Sequence, residues 1–167
     1  MFTAQQSKMG AFVIRYPRGK GFIVDWKQPM KALPIGKGEC LKNGKDLAII
    51  TIGTLAHNTQ LAIEQLEKEQ NRSIAHYDIR FLKPLDEELL HGIANKFTQI
   101  VTIEDGVIQG GFGSAVLEFM SDNGYKVNVK RLGIPDTFVE HGTPEELYNM
   151  LGLDVDGIVK SILQILP

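Results

Sequence analysis

The chain has 167 residues, 43% hydrophobic and 23% charged, a balance that supplies one ordinary domain with a packed core and excludes disorder, collagen-like repeats and coiled coil. Eighteen Lys and Arg against 20 Asp and Glu leave a net charge of -2, which excludes a general nucleic-acid binder. No apolar run nears the roughly 20 residues of a membrane helix, and the single cysteine, Cys40, excludes an internal disulfide framework or a CxxC metal site. The polar FTAQQSK that follows Met1 lacks the features of a signal peptide, so the cytoplasm is the expected location.

Charge is unevenly spread. Residues 1–46 hold nine bases and three acids, a net of +6, whereas the remaining 121 residues carry a net of -8. A basic segment on an acidic body fits either an anionic ligand at that end or a solvated, lysine-bearing linker.

In chain order, FTAQQSK reads as the tail of a helix too short to stand alone. AFVIRY (11–16) reads as a strand ended by Pro17, and 17–34, with Pro17, Pro29 and Pro34, loses all period, as a linker does. GECLK and DLAIITIG flank Asn43-Gly44, which predicts a tight hairpin with its first strand antiparallel and at a sheet edge. Leu55, Thr59, Ala62, Ile63 and Leu66 recur at helical spacing, and SIAHYDI reads as a strand. Asp86 caps a helix whose apolar face is Leu89, Ile93 and Phe97. QIVTIED is the next strand, and Ala115, Val116, Phe119 and Met120 mark the helix after it. VNVKRL follows as a strand; Thr143-Pro144-Glu145-Glu146 is a capping box with proline at the first helical position. Gly152 ends that helix, and Ile158, Ile162 and Leu166 trace a last one. Such alternation means a mostly parallel sheet covered by helices on both faces, with right-handed crossovers.

Ligands of open parallel sheets favour the carboxyl ends of strands. Four loops fall there: Gly53-Thr54, Arg80-Phe81, Glu104 to Gly113, and Gly133 to His141. The glycine stretch Gly110-Gly111-Phe112-Gly113-Ser114 matches neither GxGxxG nor the P-loop, so it is open to two readings, an anion cradle or close packing of helix on sheet. His57, His76, His91 and His141 show no zinc spacing, and Ser114 lacks the GxSxG of a hydrolase. His76 and Asp78 share a strand face and are expected to form a structural hydrogen-bonded pair; Cys40 is expected to be inert. No catalytic, cofactor or metal constellation is visible. Arg15-Tyr16-Pro17-Arg18-Gly19 sets two arginines about a stiff proline, a geometry suited to bidentate phosphate binding by Arg18.

FVIRYPRGKG, LPIGKGE, IRFLKPLDEELL, IVTIEDGVIQGGFGSAVLEF and RLGIPDTFVEHGTPEEL, in that order from about Ala11 to Leu153, resemble the C-terminal part of the 1-deoxy-D-xylulose-5-phosphate synthase family, within the transketolase-like thiamine diphosphate enzymes. IRYPRG and KPLDEELL are shared with the wider group, whereas RLGIPDTFVEHG narrows the resemblance to the synthases. The resemblance implies a three-layer transketolase C-terminal domain, α/β, with a mostly parallel five-stranded sheet, one antiparallel edge strand and helices on both faces. It implies that residues 1–17 are a remnant of the pyrimidine-binding domain, 18–35 a linker, and 36–167 the C-terminal domain. The implied enzyme uses thiamine diphosphate and Mg2+ to join pyruvate and glyceraldehyde 3-phosphate with loss of CO2, feeding isoprenoid, thiamine and pyridoxal synthesis. Its cofactor and metal residues have no counterpart in this chain, which would pack against the remaining domains and a homodimer partner and be inactive alone. The YPRG arginine that contacts substrate phosphate in the family falls on Arg18, and no role is carried onto Arg15. The alternatives are the C-terminal domain of a 2-oxo acid dehydrogenase β subunit, against which RLGIPDTFVEHG argues, and an autonomous dimerisation or anion-binding module, which would have little reason to keep AFVIRYPRG.

Overall fold

Residues 47–52, LAIITI, are buried on both faces as far as Thr51, which is the signature of a strand at the centre of a sheet covered on both sides. The computed structural model describes residues 1–8, 10–17 and 27–166. Along the chain lie α1 (Phe2–Gln6), β1 (Glu39–Lys42), β2 (Leu47–Ile52), a 3-10 turn (Gly53–Leu55), α2 (Ala56–Gln70), β3 (Ile74–Asp78), α3 (Glu87–Lys96), β4 (Gln99–Val107), α4 (Phe112–Asp122), β5 (Asn128–Ile134), α5 (Pro144–Leu151) and α6 (Val155–Leu163). The strands form one sheet in the order β1-β3-β2-β4-β5. β2 pairs in parallel with β3 and β4, β4 pairs in parallel with β5, and β1 alone is antiparallel, on the outer side of β3. This is the expected α/β architecture, four parallel strands and one antiparallel edge.

Strand alternation divides the core in two. On one face Leu47, Ile49, Val101 and Ile103 pack under α2 and α6, with Tyr148 and Leu151 of α5 at the margin. On the other, Ala48, Ile50, Ala75 and Ile100 pack under α3 and α4, around Phe112 and Val116. The helix starts are those the sequence announces. The Asp86 side chain accepts from Leu89 N at 3.2 Å. Thr143 Oγ1 accepts from Glu146 N at 3.3 Å while Glu146 Oε2 accepts from Thr143 N at 2.9 Å, and Gly152 closes α5 at φ +67.

Two expectations are corrected. β1 lies antiparallel at an edge as expected, but it pairs with β3 rather than forming a hairpin with β2. Both edges of β2 are taken by parallel partners, so no edge is left for β1. Gly44 does not adopt the positive φ of a type I′ turn. It is the point where the chain crosses β3, so close that a Cβ there would stand 2.1 Å from Ala75 N. The crossing is tied by Lys45 N and Asp46 N, which both donate to Ser73 O at 2.8 and 2.9 Å, and by Ser73 N, which donates to Asp46 Oδ2 at 2.7 Å. Residues 11–16, expected as a strand, pair with none, and Val13 is 97% exposed. A strand exists through its hydrogen bonds to a neighbour, and among the described residues this segment has no such neighbour.

The crossing predicts that Gly44→Ala and Gly44→Asn both destabilise the protein, by roughly 1–3 kcal/mol in urea unfolding, because any side chain collides with the β3 backbone. An unchanged Gly44→Asn variant would show that the crossing has room for a side chain.

Candidate functional site at the carboxyl edge of the sheet

β4 delivers two adjacent carboxylates, and the period of two sends them to opposite faces. Glu104 turns under α4 and is 4% exposed. Its Oε2 accepts from Phe112 N and its Oε1 from Gly113 N, both at 2.8 Å. The positive end of the α4 dipole and two of its free N–H groups are thus satisfied by the chain's own charge. Gly111 is required by this approach, since a Cβ there would lie 2.3 Å from Glu104 Oε2 and 2.2 Å from Val107 O. Ser114 completes the loop: its Oγ donates to Ile108 O at 2.9 Å and accepts from Gly110 N at 3.0 Å and from Arg131 Nη1 at 2.7 Å. Of the two readings of the glycine stretch, close packing around an internal carboxylate is the one realised. The helix N-terminus that a phosphate or diphosphate would use is filled.

Asp105 faces the other side, where Thr54 Oγ1 donates to its Oδ2 at 3.4 Å. The Tyr148 hydroxyl stands 3.4 Å from Thr54 Oγ1, and Arg15 Nη2 lies 3.4 Å from Asp105 Oδ1. Burial holds the Tyr148 phenol above its ordinary pKa, with Asp105 adding to the rise. Two of the four expected loops, Gly53-Thr54 and Glu104 to Gly113, therefore converge. Arg80-Phe81 does not join them: Arg80, at φ +57, reaches back to Glu39 of β1. The fourth loop touches the glycine stretch through Ile134 O, which accepts from Ile108 N at 2.9 Å, and then runs out to a fully exposed Phe138 and an exposed His141.

The remaining candidates are dispersed. His76 and Asp78 share a face but do not bond to each other. Thr51 Oγ1 donates to Tyr77 O at 3.2 Å and lies 3.0 Å from His76 Nε2, so the ring donates Nε2–H to Thr51. Asp78 Oδ1 instead accepts from Arg80 N at 3.0 Å, and burial raises its carboxyl pKa. His91 Nδ1 bonds the Tyr125 hydroxyl at 2.7 Å on the far face. Cys40 is exposed, 3.6 Å from Asn43 Oδ1. Among the described residues no three His, Cys, Asp or Glu side chains are grouped to hold a metal ion. No described helix is long and apolar enough to cross a membrane. Arg18, the expected phosphate anchor, lies outside the described residues. Sequence reasoning left Arg15, Asp105 and Tyr148 without roles; they come from three distant segments, and only the sheet order joins them.

A five-stranded sheet with this strand order and a helix seated through glycines on its carboxyl edge defines the class: the model of the transketolase C-terminal domain matches residues 36–158, and the chain belongs to that family. More narrowly, it is similar to the 1-deoxy-D-xylulose-5-phosphate synthases. It is 58% identical over 164 residues to that of Bacteroides thetaiotaomicron, covering 98% of this chain and 25% of that protein. Against that of Phocaeicola vulgatus the identity is 56% over 163 residues, with 98% and 26% covered. A solved structure described as a split gene transketolase, inactive beta4 tetramer, superposes with a TM-score of 0.76 at 33% identity, over 86% of this chain and 46% of that one. The chain thus spans about a quarter of the length of these curated relatives.

Two outcomes follow from the buried groups. Burial lowers the His76 pKa from 6.5 to about 4, so between those values the unfolded chain takes up a proton that the folded chain refuses. Stability should therefore fall by up to about 3 kcal/mol as pH drops through that window. His76→Gln should remove that slope in urea unfolding measured at pH 7 and pH 4.5. Glu104→Gln keeps one acceptor but turns an amide N–H2 against a helix N–H, and should lower stability by about 1.5–3 kcal/mol at neutral pH.

Proposed function

We propose that the chain is the C-terminal portion of a 1-deoxy-D-xylulose-5-phosphate synthase, an enzyme that joins pyruvate and glyceraldehyde 3-phosphate with loss of CO2. The observation that carries this reading is the 58% identity to such a synthase across 98% of the chain. In this reading residues 36–167 are the transketolase C-terminal domain, 18–35 a linker, and 1–17 the end of the domain that holds the cofactor's pyrimidine. The whole enzyme is a cytoplasmic homodimer.

Thiamine diphosphate and Mg2+, when bound, supply the electron sink for decarboxylation. The α4 N-terminus, the glycine-rich helix start that could suit a diphosphate, already holds Glu104, and among the described residues no three His, Cys, Asp or Glu side chains are grouped for a metal ion, which supports a cofactor site outside this chain. In this reading both groups are held by the rest of the enzyme, and this chain contributes packing, dimerisation and one substrate contact. The description of the split transketolase relative as an inactive tetramer of β chains supports a domain that needs its remaining partners for activity.

The substrate contact is Arg18, whose guanidinium suits a bidentate grip on the phosphate of glyceraldehyde 3-phosphate, holding the aldehyde in place for attack. In the whole enzyme, Arg18→Ala should raise the KM for glyceraldehyde 3-phosphate by roughly 30- to 1000-fold, the equivalent of about 2–4 kcal/mol. The KM for pyruvate should stay near its original value. Equal effects on both substrates would remove Arg18 from the phosphate site. A whole enzyme that consumes no pyruvate in the presence of glyceraldehyde 3-phosphate would overturn the reading itself.

A further inference from the structure

We propose that Asp105 is a positioning residue: it anchors Arg15, and with it the segment 11–17, to the carboxyl edge of the sheet. The carboxylate is held from behind by two hydroxyls in series. Thr54 spends its single proton on Asp105 Oδ2 at 3.4 Å, so the Tyr148 hydroxyl, 3.4 Å from Thr54 Oγ1, donates to Thr54 in turn. Three elements supply these groups: the turn after β2, the end of β4, and α5. The other oxygen, Oδ1, meets the cation: Arg15 Nη2 lies 3.4 Å from it.

The guanidinium also passes close to the neighbouring residue: a Cβ on Gly106 would be in ordinary contact with Arg15 Nη1 at 3.4 Å, while the clash that calls for glycine there is with Glu104 Oε2, at 2.8 Å. The charge imbalance agrees with it: the cation comes from a segment with net charge +6 and the anion from a body with net charge -8. Among the described residues, Arg15–Asp105 is the ion pair that ties residues 1–17 to the sheet domain.

The consequence for the reaction rests on the proposed function. Arg15 precedes Arg18 by three residues in the sequence, so in the proposed enzyme holding Arg15 limits where Arg18 can stand. Asp105 then acts on substrate binding through Arg15 without touching substrate.

The anchor is tested on this chain by tryptic cleavage of the Arg15–Tyr16 bond, because trypsin must take the Arg15 side chain into its own pocket. Arg15 is 69% exposed, so the pair is a weak one and the effect is modest. Asp105→Asn should speed cleavage by about two- to five-fold, and Asp105→Glu should restore the slower rate. Wild-type cleavage relative to that of a peptide of residues 10–17 should rise with salt, a readout that needs no variant. Equal rates in wild type and Asp105→Asn, or a salt-independent ratio to the peptide, would overturn the anchor.

The positioning role is read in the whole enzyme. Asp105→Asn should raise the KM for glyceraldehyde 3-phosphate by about two- to five-fold while the KM for pyruvate holds, with rescue by Asp105→Glu. If Arg18→Ala raises that KM and Asp105→Asn does not, the positioning role falls and the proposed function stands. If the wild-type whole enzyme turns over neither substrate, the proposed function falls, and the cleavage assay still decides the anchor.

Discussion

The carboxyl edge of this domain is organised by one buried charge. Glu104 is almost fully buried, and an unpaired carboxylate there would cost several kcal/mol. Two N–H groups at the start of α4 meet it at 2.8 Å, backed by the helix dipole, and so fix the helix against the end of β4. Everything at that edge follows. The loop between them has to fold tightly enough to bring Phe112 and Gly113 back over β4, which leaves no room for a side chain at Gly111. Ser114 and Arg131 then close the loop's remaining polar groups at Ile108 and Gly110.

The same strand period that buries Glu104 puts Asp105 on the opposite face, half out of the protein. One carboxylate thus holds the domain together and its neighbour is available to something else. That something is Arg15, whose Nη2 lies 3.4 Å from Asp105 Oδ1. A helix N-terminus filled from within has two of its N–H groups already spent on the chain's own carboxylate.

Most of the fold was legible in the sequence because its signals are local. The capping box at Thr143–Glu146, the Asp86 cap, the Gly152 stop and the apolar periods of α2 and α4 each lie within a few residues of chain. Strand order is different. Asn43-Gly44 satisfies the sequence preference of a tight turn, yet nothing near it reveals that β2 has both edges occupied, so β1 had to pass over to β3. Glu104 reads as one acid among many until its partners eight and nine residues on are folded over it. His76 finds Thr51 rather than Asp78 because the partner is supplied by an adjacent parallel strand. The pairing of Arg15 with Asp105 spans most of the domain and leaves no trace in spacing.

β1 has a further significance as a cover. Its contribution is largely ionic: Arg80 meets Glu39, Lys42 meets Glu67 at 2.7 Å, and just before the strand Lys37 meets Glu88 at 2.6 Å. Four residues with mostly exposed side chains add little to the apolar core. What they do is occupy the hydrogen-bonding edge of β3, a strand whose first four residues are buried. Strip β1 away and that edge becomes an open ladder of N–H and C=O groups beside apolar side chains, the arrangement that invites edge-to-edge association with another copy. The small antiparallel strand keeps the sheet from growing.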